Sequence, residues 1–210
     1  MKQITIIGAS AGVGLLTVKQ ALQKGLTVVA LARTTIPLAD QPNLVKQSGS
    51  ATSVSDVKKA ITGSDAIIIT VGQGNSLNAT TLFTDAATAL LQALNELKMQ
   101  PPLVVLTGFG AGDSAAYVGF PKNLVFRFLL NAVYANKTTM ETQITTNYPK
   151  WVIVRPGTLT NKPPTGNYRI LSQLTKGMDI GAISRADVAD YLIEQALNPS
   201  MLGHYMSLGK

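Results

Sequence analysis

The chain contains no cysteine, which excludes disulfides, thiolate nucleophiles and cysteine-ligated metals and fits a reducing compartment. It has one histidine, His204, so a multi-histidine metal site is excluded too, and no metal ligands are expected. Charged residues make up only 14% of the 210 residues and apolar ones 46%, the balance of a packed globular chain, not a disordered one. No apolar run approaches the roughly 18 residues that cross a bilayer, so no membrane partner is expected. Met1-Lys2 runs directly into an apolar strand, leaving no room for a signal peptide, and a cytoplasmic location is the expectation. Acids are outnumbered by bases, 11 to 18, for a net charge of +7. The bases are scattered, as in Lys58-Lys59, Lys122, Arg127, Lys150 and Lys176, so no nucleic-acid patch is indicated. The excess is either a solvated surface or charge that meets an anionic cofactor or substrate.

What is present is concentrated at the N-terminus. Gln3–Ile7 is a buried-strand pattern that runs into Gly8-Ala9-Ser10-Ala11-Gly12-Val13-Gly14, and a helix-period stretch follows. Strand, glycine-rich turn and helix form a cradle for a nucleotide pyrophosphate. Gly8 permits the tight turn, and small residues at Ser10, Ala11 and Gly12 let the backbone approach phosphates. The helix N-terminus then offers unpaired N–H groups. The alternative is an ordinary tight strand-to-helix turn.

Strand and helix patterns alternate over the rest of the chain. The expected strands are Gln3–Ile7, Thr27–Ala32, Leu44–Gln47, Ala66–Val71, Leu103–Thr107, Trp151–Arg155 and Tyr205–Leu208. The expected helices are Gly12–Lys24, Val54–Thr62, Asn78–Leu97, Pro121–Asn147 and Arg185–Asn198. Ser53 and Ser184 are candidate helix caps, and Pro101-Pro102 stops a long helix. The order predicts an α/β fold, a Rossmann-type doubly wound parallel sheet with helices on both faces. A single domain over residues 1–210 is expected, with an irregular substrate-side loop at about 157–181.

Several strand ends carry candidate chemistry. The second strand ends in Arg33-Thr34, where an NAD site usually has an acid for the ribose 2′-hydroxyl, and the first acid after it is Asp40. A guanidinium suits the 2′-phosphate of NADP(H), so NADP(H) is expected over NAD(H). The alternative is an exposed arginine that merely ends a strand. Gly72 ends the fourth strand, either close to an adenosine ribose or simply opening a loop. Thr107 ends the fifth, placed to hydrogen-bond a substrate carbonyl or only to cap the strand. The glycines at 108, 110 and 112 behind it allow a mobile or a close-packed loop. Tyr134 and Lys137 share a helical face, and Lys137 and Glu141 have the spacing of an ion pair. Lys137 is a candidate to orient a cofactor and tune a neighbouring pKa, or is half of an exposed helix pair. Arg155-Pro156-Gly157 turns the chain at the end of the sixth strand. Trp151 is expected in the core, and His204 to be structural.

Taken in order, Gly8–Gly14, Arg33, Gly63-Ser-Asp-Ala-Ile67, Thr107–Ser114, Tyr134-Ala-Asn-Lys137 with Glu141, Trp151–Gly157 and Ile183–Ala189 resemble the atypical short-chain dehydrogenase/reductases. Within that superfamily the chain resembles NmrA-like and biliverdin/flavin reductase-like NAD(P)H-binding proteins. The resemblance implies cofactor contacts from Gly8, Ser10, Ala11, Gly12, Val13, Arg33, Gly72, Thr107, Lys137 and Pro156. Gly14 and Thr34 complete the expected set, and Thr107, Lys137 and Tyr134 are the catalytic candidates. Three departures stand out. The glycine spacing is not the group's usual Gly-x-x-Gly-x-x-Gly but resembles the Gly-x-x-x-Gly-x-Gly of the larger Tyr-dependent branch; the tyrosine position of that branch's Tyr-x-x-x-Lys holds Val133; and Ser50 stands where many relatives carry an adenine-binding acid.

The expected function is an NADPH-dependent reductase that passes hydride to a small planar acceptor such as a flavin, quinone or carbonyl. The alternative is a non-catalytic NADP(H)-binding sensor of the NmrA kind. A monomer or homodimer is expected. The apolar run Phe120–Leu130 reads as core, subunit contact or pocket wall.

Overall fold

A computed structural model of the chain describes residues 2–74, 76, 78–118, 130–176, 178 and 180–210. Its strands are β1 (Gln3–Ile7), β2 (Thr27–Ala32), β3 (Leu44–Ser48), β4 (Ala66–Ile69), β5 (Leu103–Leu106) and β6 (Trp151–Pro156). Three short ones, β7 (Thr158–Thr160), β8 (Arg169–Leu171) and β9 (Ala182–Ser184), precede β10 (His204–Gly209). The helices are α1 (Gly12–Gln23), α2 (Val54–Ile61), α3 (Leu82–Leu97), α4 (Asn131–Asn147) and α5 (Arg185–Leu197), with a 3-10 turn at Gly112–Tyr117.

Eight strands form one sheet in the order β3-β2-β1-β4-β5-β6-β10-β8, parallel except for β8 against β10; β7 and β9 pair separately. The strands are apolar on both sides because both faces are covered. Ile4 and Ile6 of β1 and Ala66 and Ile68 of β4 face α1 and α5; Ile7, Ile67 and Ile69 face α2, α3 and α4. This alternation is the physical content of the doubly wound fold. It also puts every parallel strand's carboxyl end along one edge, with the direction of winding reversing between β1 and β4. Such a reversal opens a crevice.

The differences from expectation have local causes. The third long helix starts at Leu82, not Asn78. Gln73 Nε2 donates to the carbonyl of Asn78 and the Leu82 amide to Thr80 Oγ1 (3.1 Å each), side-chain bonds that compete with a helical turn. The stretch 157–181, expected as irregular, contributes β7 and β8, each three residues long and too short to show a periodicity. The expected helix start at Pro121 and all of the apolar run Phe120–Leu130 except its last residue lie outside the described residues. No described helix is long and apolar enough to cross a membrane.

Candidate functional site: a two-part cleft at the strand ends

The turn after β1 is built by close backbone contact. Gly8 has φ +93°, and a Cβ there would lie 2.9 Å from the Thr70 carbonyl and the Val71 nitrogen. A Cβ on Gly14 would overlap the Gly8 carbonyl oxygen and sit 2.5 Å from Thr70 Oγ1. The two glycines therefore let α1 dock directly on the end of β1, and Thr70 locks the arrangement by donating its hydroxyl to the carbonyls of Ile7 and Gly8 (3.1 and 3.2 Å). The N-cap of α1 is Ala11, extended and with no side-chain cap, and the first turn holds no acid. Its leading N–H groups and the positive end of its dipole consequently face open space, the condition for an anion site.

That space is a cavity of about 720 Å³, lined by Gly8, Ser10–Val13, Arg33, Thr34, Gly72, Thr107, Val133, Tyr134, Lys137 and Arg185 among others. Arg33 is exposed on its rim at the end of β2. No Asp or Glu lines the cavity among the described residues. The departure at Ser50 also becomes concrete, since Gly49 and Ala51 line the wall and the Ser50 amide donates to Asp56 (2.8 Å). A Cβ on Gly72 would meet no atom within 4 Å, so the backbone there borders empty volume. The residues fit a dinucleotide: a glycine cradle that a Cβ would fill, an uncapped helix end, and a cavity of matching charge.

Two expected cofactor residues stand elsewhere. Gly14 does not line this cavity and acts through packing, while Pro156 lines a second cavity of about 360 Å³. The second cavity lies beyond the ends of β5 and β6, walled by Phe109, Val118, Pro156, Gly157, Met178 and Ile180. Thr107, Leu130, Tyr134, Lys137, Leu159 and Arg185 line both cavities. The three catalytic candidates thus converge on the seam.

Their bonding differs from what spacing suggested. Lys137 does not pair with Glu141. Its Nζ donates to the Thr107 carbonyl (2.9 Å) and lies 4.8 Å from the Tyr134 ring centre and 5.3 Å from that of Phe83. Burial lowers its pKa to about 8, against a smaller opposite pull from Glu141. The Tyr134 pKa is raised by burial, and its ring fits because Gly108 has no side chain: a Cβ there would come within 2.9 Å of the hydroxyl. The Thr107 hydroxyl is not turned to the cleft as a donor; it donates to Glu141 Oε1 (2.6 Å).

Glu141 in turn is held by Arg155, through Nε (3.1 Å) and Nη2 (2.6 Å), and Arg155 reaches Asp113 with Nη1 (2.5 Å). Both Glu141 and Arg155 are buried, and the guanidinium stacks 4.0 Å from the centre of the Tyr205 ring. This forked pair braces Thr107 from behind. Sequence reasoning missed it because partners 14 residues apart share no helix face and Lys137 offered Glu141 a nearer match. The loop of glycines is close-packed: Gly112, with φ +56°, leaves no room for a Cβ beside Arg155 and Glu141. Arg185 was missed too, because a basic residue after a serine cap reads as an exposed helix start.

The parallel sheet, the glycine cradle and the cleft at the winding reversal define a dinucleotide-binding protein of the Rossmann class. The NAD(P)H-binding family model matches residues 8–199, and the chain belongs to that family. Among solved structures it is similar to ChuY from E. coli (25% identity, TM-score 0.79, 99% of this chain and 96% of the other). A second structure of E. coli ChuY, described as an anaerobillin reductase, matches at 23% identity and TM-score 0.78 over 99% and 96% of the two chains. A short-chain dehydrogenase/reductase from Veillonella parvula, in complex with NADP, matches at 16% identity and TM-score 0.81 over 100% and 94%. The expected resemblance to NAD(P)H-binding proteins is borne out, and at these identities the last two matches speak for the fold alone.

Proposed function

We propose that the protein is an NADPH-dependent reductase of a small planar acceptor. The observation that carries this reading is the second cavity, which shares Thr107, Tyr134 and Lys137 with the cofactor cleft. A protein that only senses the cofactor has no need of a second, mostly apolar chamber opening at the catalytic candidates. The similarity to a structure described as a reductase and to one solved with NADP supports it.

In this reading the first turn of α1, with Ser10, Ala11, Gly12 and Val13, holds the pyrophosphate, and Arg33 with Thr34 meets the 2′-phosphate. Gly72 borders the adenosine ribose. When bound, the reduced cofactor supplies the hydride; one proton completes the reduction and NADP⁺ remains. Lys137, with its pKa near 8, is an ammonium at neutral pH and stands at the seam. It offsets negative charge that develops on the acceptor and holds a proton that solvent can replace. Tyr134 keeps its proton because burial disfavours the phenolate. Thr107, fixed by Glu141, positions Lys137 through its carbonyl.

The test is a fluorescence titration with NADPH and NADH, repeated with Arg33→Ala, followed by NADPH oxidation across a flavin and quinone panel. Binding of NADPH that the substitution weakens on the order of tenfold, with NADH little changed, is expected. Turnover with at least one acceptor is expected as well. Tight binding with no turnover on the whole panel would instead favour the sensor.

A further inference from the structure

Arg155, Arg33 and Arg185 differ in what neutralises them. Arg155 has two carboxylates. Arg33 is exposed at the far rim of the cofactor cleft. Arg185 is different. It is the first residue of α5, half-buried, and lines both cavities at their seam. Its Nη1 donates to the Asn161 side-chain oxygen (2.8 Å) and, at longer range, to the Leu159 carbonyl (3.4 Å). Both acceptors are neutral, and no ion pair involves it among the described residues. These bonds aim the guanidinium without discharging it.

The surrounding cavity repeats the point. Its described walls include Phe109, Leu130, Pro156 and Ile180, and the only charged groups among the described lining residues are Lys137 and Arg185. Lys137 is held at the seam by its bond to the Thr107 carbonyl, where the reductase reading already gives it the reacting end of the acceptor. A partly buried guanidinium whose described surroundings hold no acid is costly unless an anion joins it, and its planar fork matches a carboxylate or a phosphate. At about 360 Å³ the chamber sits at the small end of the roughly 300–1,000 Å³ range of ligand pockets.

We infer that Arg185 anchors an anionic arm of the hydride acceptor, and that the acceptor is a compact planar ring system carrying a carboxylate or a phosphate. The inference rests on the reductase reading of the same site. It gives the cations of the cleft separate roles, with Arg33 at the cofactor's adenosine end and Arg185 at the acceptor.

Binding without turnover tests it. With the full-length protein saturated in NADP⁺, no hydride is available, and flavin fluorescence reports affinity for riboflavin and for flavin mononucleotide, which differ by one phosphate. A neutral naphthoquinone and its carboxylate-bearing analogue are then measured by competition. Wild type is expected to prefer one anionic member of a pair over its neutral partner on the order of tenfold. The pair with the larger preference identifies the arm as phosphate or carboxylate. Arg185→Gln is expected to abolish that preference while NADP⁺ affinity stays the same, and Arg185→Lys to restore part of it. Equal binding of charged and neutral members by wild type would overturn the inference. So would an Arg185→Gln variant that loses both members equally or loses NADP⁺, since Arg185 would then serve packing or the cofactor. Failure of every ring compound, neutral ones included, while NADP⁺ still binds would bring down the reductase reading together with the inference.

Discussion

Three glycines at the site do three different things, and substitution separates them. Gly14 is where α1 touches β1, so Gly14→Ala drives a methyl into the Gly8 carbonyl and Thr70. Overpacking of this kind costs about 1–3 kcal/mol, and urea unfolding of the variant is expected to show a loss in that range. Gly72 is the opposite case. Its φ lies outside the left-handed region and its missing Cβ faces open volume, so Gly72→Val leaves the protein's own packing intact. If the adenosine half of the cofactor fills that volume, the valine displaces it. The expected result is an unchanged unfolding midpoint with NADPH affinity reduced on the order of tenfold. An unchanged affinity in a stable Gly72→Val protein would remove Gly72 from the cofactor site. Gly8 combines both demands, a positive φ and a close backbone contact, so it offers no clean substitution.

Among the elements, the substrate-side loop is tied down by one carboxylate. Asp187 is the third residue of α5, and its Oδ1 accepts the amides of Thr165 (2.8 Å) and Gly166 (2.9 Å). Its Oδ2 accepts the hydroxyls of Ser184 (2.8 Å) and Thr165 (3.2 Å). Ser184 closes the box by accepting the Asp187 amide (2.9 Å). Burial would raise the Asp187 pKa, but the bonds from Gly166, Ser184 and Thr165 outweigh it and hold the pKa below the usual value. A depressed acid contributes stability that is present above its unfolded pKa and lost as pH falls through its folded one. Asp187→Ala is therefore expected to cost about 1–3 kcal/mol at neutral pH. It should also raise hydrogen exchange at Thr165 and Gly166 while the α1 amides stay protected. Equal exchange in both proteins would show that the loop is held by something else. The serine cap was readable from Ser184-Arg185-Ala186-Asp187, whereas the grip on the loop was not. Cap residues are local to a helix start, but Thr165 and Gly166 lie about 20 residues upstream in a stretch without periodicity. The same split holds along the chain. β1, the glycine turn and α1 were legible because their cues are adjacent in sequence. The brace of Arg155 on Glu141 and the shared position of Arg185 depend on which strand ends meet, and a linear pattern does not carry that information.

For the molecule as a whole, the most telling consequence is how stability follows pH. Lys137 sits among Tyr134, Phe83 and the strand ends with its pKa lowered to about 8, from an ordinary value of 10.5. Burial is the cause, so the folded state disfavours the ammonium and the unfolded chain does not. Between pH 8 and pH 10 the unfolded chain binds more protons at this residue than the folded one, and stability from it rises with pH. Above the unfolded pKa that contribution is complete; it is lost as pH falls through 8. The full swing corresponds to about 3 kcal/mol, an order-of-magnitude value. Other groups add their own pH dependence, as do Tyr168 and Tyr191, pushed by burial from an ordinary 10 up to about 12, and a difference measurement cancels them. Urea unfolding of wild type and Lys137→Met at pH 7, 8, 9 and 10 is the measurement. Wild type is expected to gain on the variant by about 2–3 kcal/mol from pH 7 to pH 10, with the steep part above pH 8. A flat difference would mean that the ammonium is as well solvated folded as unfolded. Lys137 would then have no reason to surrender its proton at the seam. The two properties are linked, because the burial that weakens the fold at neutral pH is the same burial that would suit this lysine to the proposed reductase chemistry.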